Sequence, residues 1–167
     1  PHQDLKQRKE VSSGQKPFAV IVGCSDSRVP PEIIFDQGIG DLFIIRVAGN
    51  IVDDVALGSI EYAVEHLGTN LVVVLGHSKC GAVTATAKGT EAHGHIESIV
   101  RIIMPAVEMA RGQKGDIVEN AIKNNMEMVK KKITSSEPII TKAIREGRLK
   151  VIGAYYDIDS GIVEFEK

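Results

Sequence analysis

Residues 71–81 have the sequence LVVVLGHSKCG, in which a continuous apolar run is followed by a histidine and a cysteine. A run of this kind, bounded by glycine, is typical of a strand that is buried on both faces of a sheet, and we predict a strand at 71–75. Two similar runs predict strands at 18–22 and 42–45. Such strands occur mainly in sheets that helices cover, so the three runs predict an α/β fold.

Apolar residues at helical spacing predict the helices that connect these strands. One helix is predicted at 55–67, because aspartates precede its first turn and a glycine follows its end. This helix joins the strands at 42–45 and 71–75, so we predict that the two strands form a parallel pair with a right-handed crossover. Further helices are predicted at 96–110, 117–133 and 138–145.

The C-terminal part of the sequence predicts a strand at 149–156 and another at 162–165, joined by a turn at 157–161. The short connection predicts an antiparallel hairpin. The complete prediction is a three-layer α/β domain with a mostly parallel central sheet, an antiparallel C-terminal edge strand and helices on both faces. We expect residues 17–167 to form this single domain, after a polar N-terminal segment at 1–16.

The composition gives no support to a nucleic-acid or membrane partner. The 20 Lys and Arg residues and 22 Asp and Glu residues give a formal net charge of -2, which creates no field that attracts nucleic acid or an anionic membrane. The apolar runs are also far shorter than a membrane-spanning helix requires. We therefore predict neither kind of partner.

Both cysteines of the chain, together with one histidine, follow predicted strands. Cys24 follows the strand at 18–22, and His77 and Cys80 follow the strand at 71–75. Because the carboxyl ends of parallel strands form the ligand crevice of an α/β sheet, we expect the two thiols and the imidazole to converge there. Thiolate and imidazole are zinc ligands, and three protein ligands with an open fourth position are typical of a catalytic site.

Two other interpretations of the cysteines remain open. Each cysteine can be a small buried apolar residue, Cys24 at a strand end and Cys80 at the start of a helix. Alternatively, the two can pair in a non-catalytic zinc-binding or redox module.

Asp26 and Arg28, two residues apart beside Cys24, favour catalysis. In an extended loop their side chains face the same side, and a guanidinium keeps a carboxylate ionised and oriented. The alternative for this pair is a solvated surface contact.

The segments Cys24-Ser25-Asp26-Ser27-Arg28 and Gly76-His77-Ser78-Lys79-Cys80-Gly81 resemble the two signature segments of the β-class carbonic anhydrases. The similarity is nearly continuous over 16–86, including the segment Arg46-Val47-Ala48-Gly49-Asn50, and returns at 153–161. This resemblance implies a zinc enzyme, a carbonate dehydratase, that hydrates carbon dioxide reversibly to bicarbonate and a proton. It implies one zinc ion per chain on Cys24, His77 and Cys80, with Asp26 and Arg28 as an orienting pair.

The resemblance also implies a substrate pocket at a dimer interface, lined by Gln15, Phe43 and Tyr62. By chemistry alone, Phe43 and Tyr62 would be core residues and Gln15 a surface residue. The expected reaction is attack of a zinc-bound hydroxide on carbon dioxide, because zinc lowers the pKa of its water toward about 7. Asp26 would accept the hydroxide's proton, and the backbone N–H of Gly81 would stabilise the product oxyanion.

Assembly and location follow from the same resemblance. Members of the family usually carry N-terminal helices that wrap a partner subunit, so we expect residues 1–16 to be a tail or the remnant of such an arm. We expect a homodimer or a larger dimer-based oligomer, and a cytoplasmic location because reduced ligand cysteines suit a reducing compartment. Carbon disulfide and carbonyl sulfide remain alternative substrates.

Overall fold

The computed structural model describes residues 3–166, so residues 1 and 2 of the predicted N-terminal segment and residue 167 lie outside the described residues. Five strands form one sheet in the order β2-β1-β3-β4-β5. β1 to β4 run parallel, and β5 is antiparallel to β4, which confirms the predicted α/β class and its antiparallel edge. The strands are β1 Ala19–Gly23, β2 Leu42–Arg46, β3 Leu71–His77, β4 Lys150–Tyr156 and β5 Val163–Phe165.

The predicted helices are all present, with ends within two residues of the predicted ones. The helices are α1 Leu5–Glu10, α2 Pro31–Ile34, α3 Asp54–Glu65, α4 Gly81–Ala87, α5 Ile96–Arg111, α6 Ile117–Thr134 and α7 Ile139–Arg145, and a 3-10 turn spans Ala48–Asn50. An aspartate caps α3 as expected, since the Asp53 carboxylate accepts from the Ala56 N–H. Sequence periodicity missed α1, α2 and the 3-10 turn because each is short, and α1 buries no residue.

The predicted pairing of β2 with β3 is wrong. Both strands run in the same direction, but β1 lies between them and pairs with each. Every residue of β1 is buried, whereas β2 is only partly buried, so β1 takes the interior position and β2 the edge. The chain therefore passes outward from β1 to β2 and then crosses back to β3. The carboxyl ends of β1 and β3 consequently flank the topological switch point, where α/β sheets bind ligands.

β3 is two residues longer than predicted. Gly76 and His77 continue the strand and lie opposite Tyr155 and Tyr156 of β4. The glycine does not end the strand, because its backbone is held by the neighbouring strand. His77 is therefore held by strand pairing as the last residue of β3.

Apolar side chains cover both faces of the sheet and its carboxyl end. One cluster packs β1 and β3 against α3, α6 and α7, and a second covers the opposite face beneath α2 and the C-terminal hairpin. The third cluster joins α4, α5 and α6 around Cys24 and Cys80. Among the described residues, no helix has both the length and the apolar character needed to cross a membrane.

Candidate metal centre

Cys24, His77 and Cys80 converge at the carboxyl end of the sheet. Their ligand atoms all lie within 4.8 Å of one another, and all three residues are buried. Cys24 follows β1 directly, His77 is the last residue of β3, and Cys80 is the N-cap of α4. We call residues 24–28 the first ligand loop and residues 77–80 the second ligand loop.

The His77 ring presents one nitrogen to this cluster. Its Nδ1 lies 2.9 Å from the carbonyl oxygen of Ser78, so Nδ1 carries the hydrogen and donates it. The other nitrogen, Nε2, is buried and has no hydrogen-bond partner within residues 3–166. A buried polar atom without a partner is unfavourable, and a cation at the cluster would satisfy it. The orientation of His77 therefore fits a metal ligand.

The two sulfur atoms influence each other's pKa. Both cysteines are unpaired thiols. The contact with Cys80, above all, lowers the pKa of Cys24, and the Gly49 N–H acts in the same direction against the effect of burial. The same contact, together with burial, raises the pKa of Cys80. Ligand cysteines bind as thiolates, so a divalent cation at the cluster would favour loss of the thiol protons.

The donor set of the cluster fits zinc. Two thiolates and one neutral imidazole are soft and intermediate ligands of the kind that zinc binds, and three protein ligands leave a fourth position open. Asp26 is not a member of the three-residue cluster found in the described part of the chain.

The Asp26 carboxylate is instead held by Arg28. The Arg28 Nε donates to Oδ1 at 2.9 Å and Nη2 donates to Oδ2 at 2.7 Å. This bidentate contact, together with the Arg28 backbone N–H, lowers the pKa of Asp26 to about 2 despite partial burial. Arg28 Nη2 also donates to the carbonyl of Lys79 at 3.3 Å, so the pair connects the two ligand loops. Asp26 is therefore ionised at neutral pH and has a fixed orientation.

Three residues that sequence reasoning did not select support the first ligand loop. Arg46, at the end of β2, donates from Nε to the Cys24 carbonyl at 2.8 Å and from Nη2 to the Asp26 carbonyl at 2.5 Å. The Gly49 N–H donates to the Cys24 sulfur at 3.2 Å, and the Asn125 side chain donates to the Gly49 carbonyl at 2.8 Å. The sequence feature that could have identified Arg46 is its charge at the end of an otherwise apolar strand.

The second ligand loop is held from β4 and the segment that follows it. The Ser78 N–H donates to the Tyr156 carbonyl at 2.9 Å, and the Ile158 N–H donates to the Ser78 hydroxyl at 2.9 Å. Lys79 has a positive φ of 56°, and its Nζ contacts both carboxylate oxygens of Asp159 at 2.7 and 2.6 Å.

The other predicted substrate residues lie in different parts of the fold. Gln15 is exposed. Phe43 packs against the apolar core on the α3 side of the sheet, and its ring centroid lies 6.4 Å from that of Tyr62. Tyr62 is 47% exposed, so the interpretation of Tyr62 as a core residue is wrong. Gly81 is exposed directly after Cys80, and a Cβ there would meet no described atom within 4 Å.

Known proteins resemble the chain in sequence. The carbonic anhydrase family matches residues 19–163. Carbonic anhydrase 2 of Mycobacterium tuberculosis is 40% identical over 165 residues, which are 96% of this chain and 80% of that protein. A carbonic anhydrase of Mycolicibacterium smegmatis is 36% identical over 168 residues, or 98% of this chain and 82% of the relative. These matches include both ligand loops.

Solved structures resemble the fold as well. A tetrameric β-carbonic anhydrase from Sordaria macrospora has a TM-score of 0.86 at 30% identity, and the match covers 94% of this chain and 84% of that one. A β-carbonic anhydrase from Coccomyxa, in complex with acetazolamide, has a TM-score of 0.83 at 28% identity, with 94% and 75% covered. The similarity therefore extends over nearly the whole chain.

Proposed function

The chain belongs to the β-carbonic anhydrase family, and from that premise we propose that it hydrates carbon dioxide reversibly to bicarbonate at one zinc ion held by Cys24, His77 and Cys80. The observation that carries the proposal is the buried cluster, whose ligand atoms lie within 4.8 Å of one another. His77 Nε2 also has no partner in the described chain. Zinc, when bound, would supply a hydroxide at neutral pH by lowering the pKa of water toward about 7.

Asp26 orients the nucleophile in this proposal. Arg28 holds the pKa of Asp26 at about 2, so at neutral pH the carboxylate can only accept a hydrogen bond. By accepting a hydrogen bond from the nucleophile, Asp26 would hold it in the orientation needed to attack the carbon of carbon dioxide. Arg28 acts through Asp26, because its guanidinium fixes both carboxylate oxygens.

The backbone at Gly81 stabilises charge on the product. Gly81 is the first residue of α4, so its N–H has no acceptor within the helix. The residue is exposed and lies directly after the ligand Cys80. An N–H in this position can donate to the oxygen on which negative charge develops during hydration.

A second subunit completes the substrate pocket in this proposal. Gln15, Phe43 and Tyr62 line the pocket of the partner in a homodimer or a larger dimer-based oligomer. The half-exposed Tyr62, whose ring is tilted against that of Phe43, supports this role because a large aromatic side chain is left available at the surface. The similar protein from Sordaria macrospora is tetrameric. We further propose one catalytic domain at 17–167 and a cytoplasmic location, which keeps both thiols reduced.

Stopped-flow hydration of carbon dioxide with a pH indicator, on protein of measured zinc content, tests the proposal. We expect rapid hydration and about one zinc per chain, and the loss of both in Cys80→Ser because a thiolate ligand is removed. Ser27→Ala is the matched control, since Ser27 is exposed in the first ligand loop and is not a ligand.

Two outcomes would contradict the proposal at different points. Zinc without hydration would argue against carbon dioxide as substrate, and carbon disulfide and carbonyl sulfide would then be assayed. A wild-type chain that takes up no zinc would exclude the metal site.

A further inference from the structure

Asn125 is a polar residue at an apolar position. It lies in the middle of α6, on the buried face that also contains Ala121, Ile122 and Val129. Asn125 is only 1% exposed, and burial of an amide is unfavourable unless it makes hydrogen bonds. Helical periodicity alone would place an aliphatic residue there. The amide therefore needs a structural reason, and its hydrogen bond gives one.

The Asn125 side chain holds the 3-10 turn that follows β2. Its Nδ2 donates to the Gly49 carbonyl at 2.8 Å, across 76 residues of sequence. Gly49 has φ 72° and ψ 21°, and a Cβ at this position would lie 2.6 Å from Cδ1 of the buried Ile103. The turn therefore requires glycine at position 49. Because glycine has more backbone freedom than any other residue, the Asn125 hydrogen bond restricts a peptide that would otherwise be mobile.

The same glycine contacts the metal-site cysteine from its other side. The Gly49 N–H donates to the Cys24 sulfur at 3.2 Å in a buried contact. The N–H and the carbonyl of Gly49 belong to adjacent peptide units, and only φ and ψ of Gly49 set the angle between them. A hydrogen bond that fixes the carbonyl therefore restricts the direction of the N–H.

We propose that Asn125 is a positioning residue for the metal centre, which holds the Gly49 peptide so that its N–H donates to the Cys24 sulfur. The proposal rests on the proposed zinc site. Hydrogen bonds to a ligand atom orient the ligand and tune its donation to the metal, and removal of such an outer contact lowers metal affinity about 10–100-fold. Asn125 thus affects zinc without touching it.

Zinc affinity and a cobalt spectrum test this role in the full chain. Zinc affinity is measured by competition with a chromophoric chelator, and the thiolate-to-metal charge-transfer band is recorded after loading with cobalt. In Asn125→Leu we expect the zinc dissociation constant to rise about 10-fold or more and the cobalt band to shift, because Cys24 loses an oriented donor.

A matched variant separates positioning from general loss of packing. Val129→Ala removes side-chain contacts from the same face of α6, one turn away, in the cluster on the α3 side of the sheet. We expect it to lower stability while zinc affinity and the cobalt band stay as in wild type. If Asn125→Leu does not fold, Asn125→Ala removes the same donor from a helix-favouring background, with the same expected result.

The outcomes distinguish this inference from the proposed function. Wild-type zinc affinity and an unshifted cobalt band in the Asn125 variant would overturn the inference alone, as would equal changes in Val129→Ala. A wild-type chain that takes up no zinc would overturn the zinc site and this inference together.

Discussion

The two ligand loops are held in place by different kinds of contact. In the second ligand loop, His77 is part of β3 opposite Tyr156, and the next residue bonds the Tyr156 carbonyl through its backbone. In the first ligand loop, the chain has left β1, and Arg46 bonds the carbonyls of Cys24 and Asp26. The second loop is therefore positioned mainly by strand pairing. The first loop is positioned by hydrogen bonds from the distant Arg46 side chain and from the backbone of the 3-10 turn at Ala48–Asn50.

This difference predicts where the site is sensitive to substitution. Hydrogen bonds from a charged donor contribute about 1.5–3 kcal/mol each, and a buried acceptor left without its donor is unfavourable. The stabilisation from strand pairing is spread over many backbone hydrogen bonds, so no single side chain determines the position of the second loop. We expect substitutions of the residues that donate to the first loop or hold its carboxylate to have large effects, and substitutions of exposed side chains around the second loop to have small ones.

Asp26→Asn in the first ligand loop has the largest expected effect. The amide is uncharged and cannot replace the carboxylate as an oriented acceptor, so we expect kcat/KM for hydration to fall about 100-fold or more at unchanged zinc content. Because the pKa of Asp26 is about 2, this group stays ionised throughout the neutral range. The wild-type pH profile should therefore show no inflection from this carboxylate in the neutral range, and an inflection present in wild type but absent in Asp26→Asn would contradict this expectation.

Arg46→Met has the next largest expected effect. The variant keeps an unbranched chain but removes the donors to the Cys24 and Asp26 carbonyls. We expect zinc affinity, measured by chelator competition, to fall about 10-fold or more because a ligand-bearing loop loses its support. Arg46→Lys keeps the charge without the planar fork and should give an intermediate value. Wild-type zinc affinity in Arg46→Met would show that the first ligand loop keeps its conformation without these hydrogen bonds.

The convergence of the three candidate ligands could be predicted from the sequence, because it depends only on the direction in which the strands run. Parallel strands end at one edge of a sheet, so Cys24 and His77 meet whatever the order of the strands. The order itself could not be predicted in this way, since a helical crossover fixes direction but not adjacency. The structure places β1 between β2 and β3, and the site lies at the resulting switch point.

The supporting contacts could not be predicted because they have no local pattern. Arg46 is 22 residues from Cys24, and Asn125 is 76 residues from Gly49. Each contact exists only after the sheet and α6 have packed. The Asp26–Arg28 contact, by comparison, spans two residues, so its geometry could be predicted from spacing. Sequence reasoning thus found the residues nearest in sequence to the ligands and missed the donors that orient them.

Asp159→Asn, beside the second ligand loop, has the smallest expected effect. The Lys79 and Asp159 side chains form a 2.6 Å ion pair, but they are 57% and 68% exposed, so water and salt screen the attraction. We expect the free energy of unfolding to change by less than about 1 kcal/mol in urea titrations, with hydration activity unchanged. The contact between Lys79 and Arg28 uses the Lys79 backbone carbonyl, which the substitution does not alter. A loss of zinc affinity as large as that in Arg46→Met would mean that side chains hold both loops, and that strand pairing alone does not fix His77.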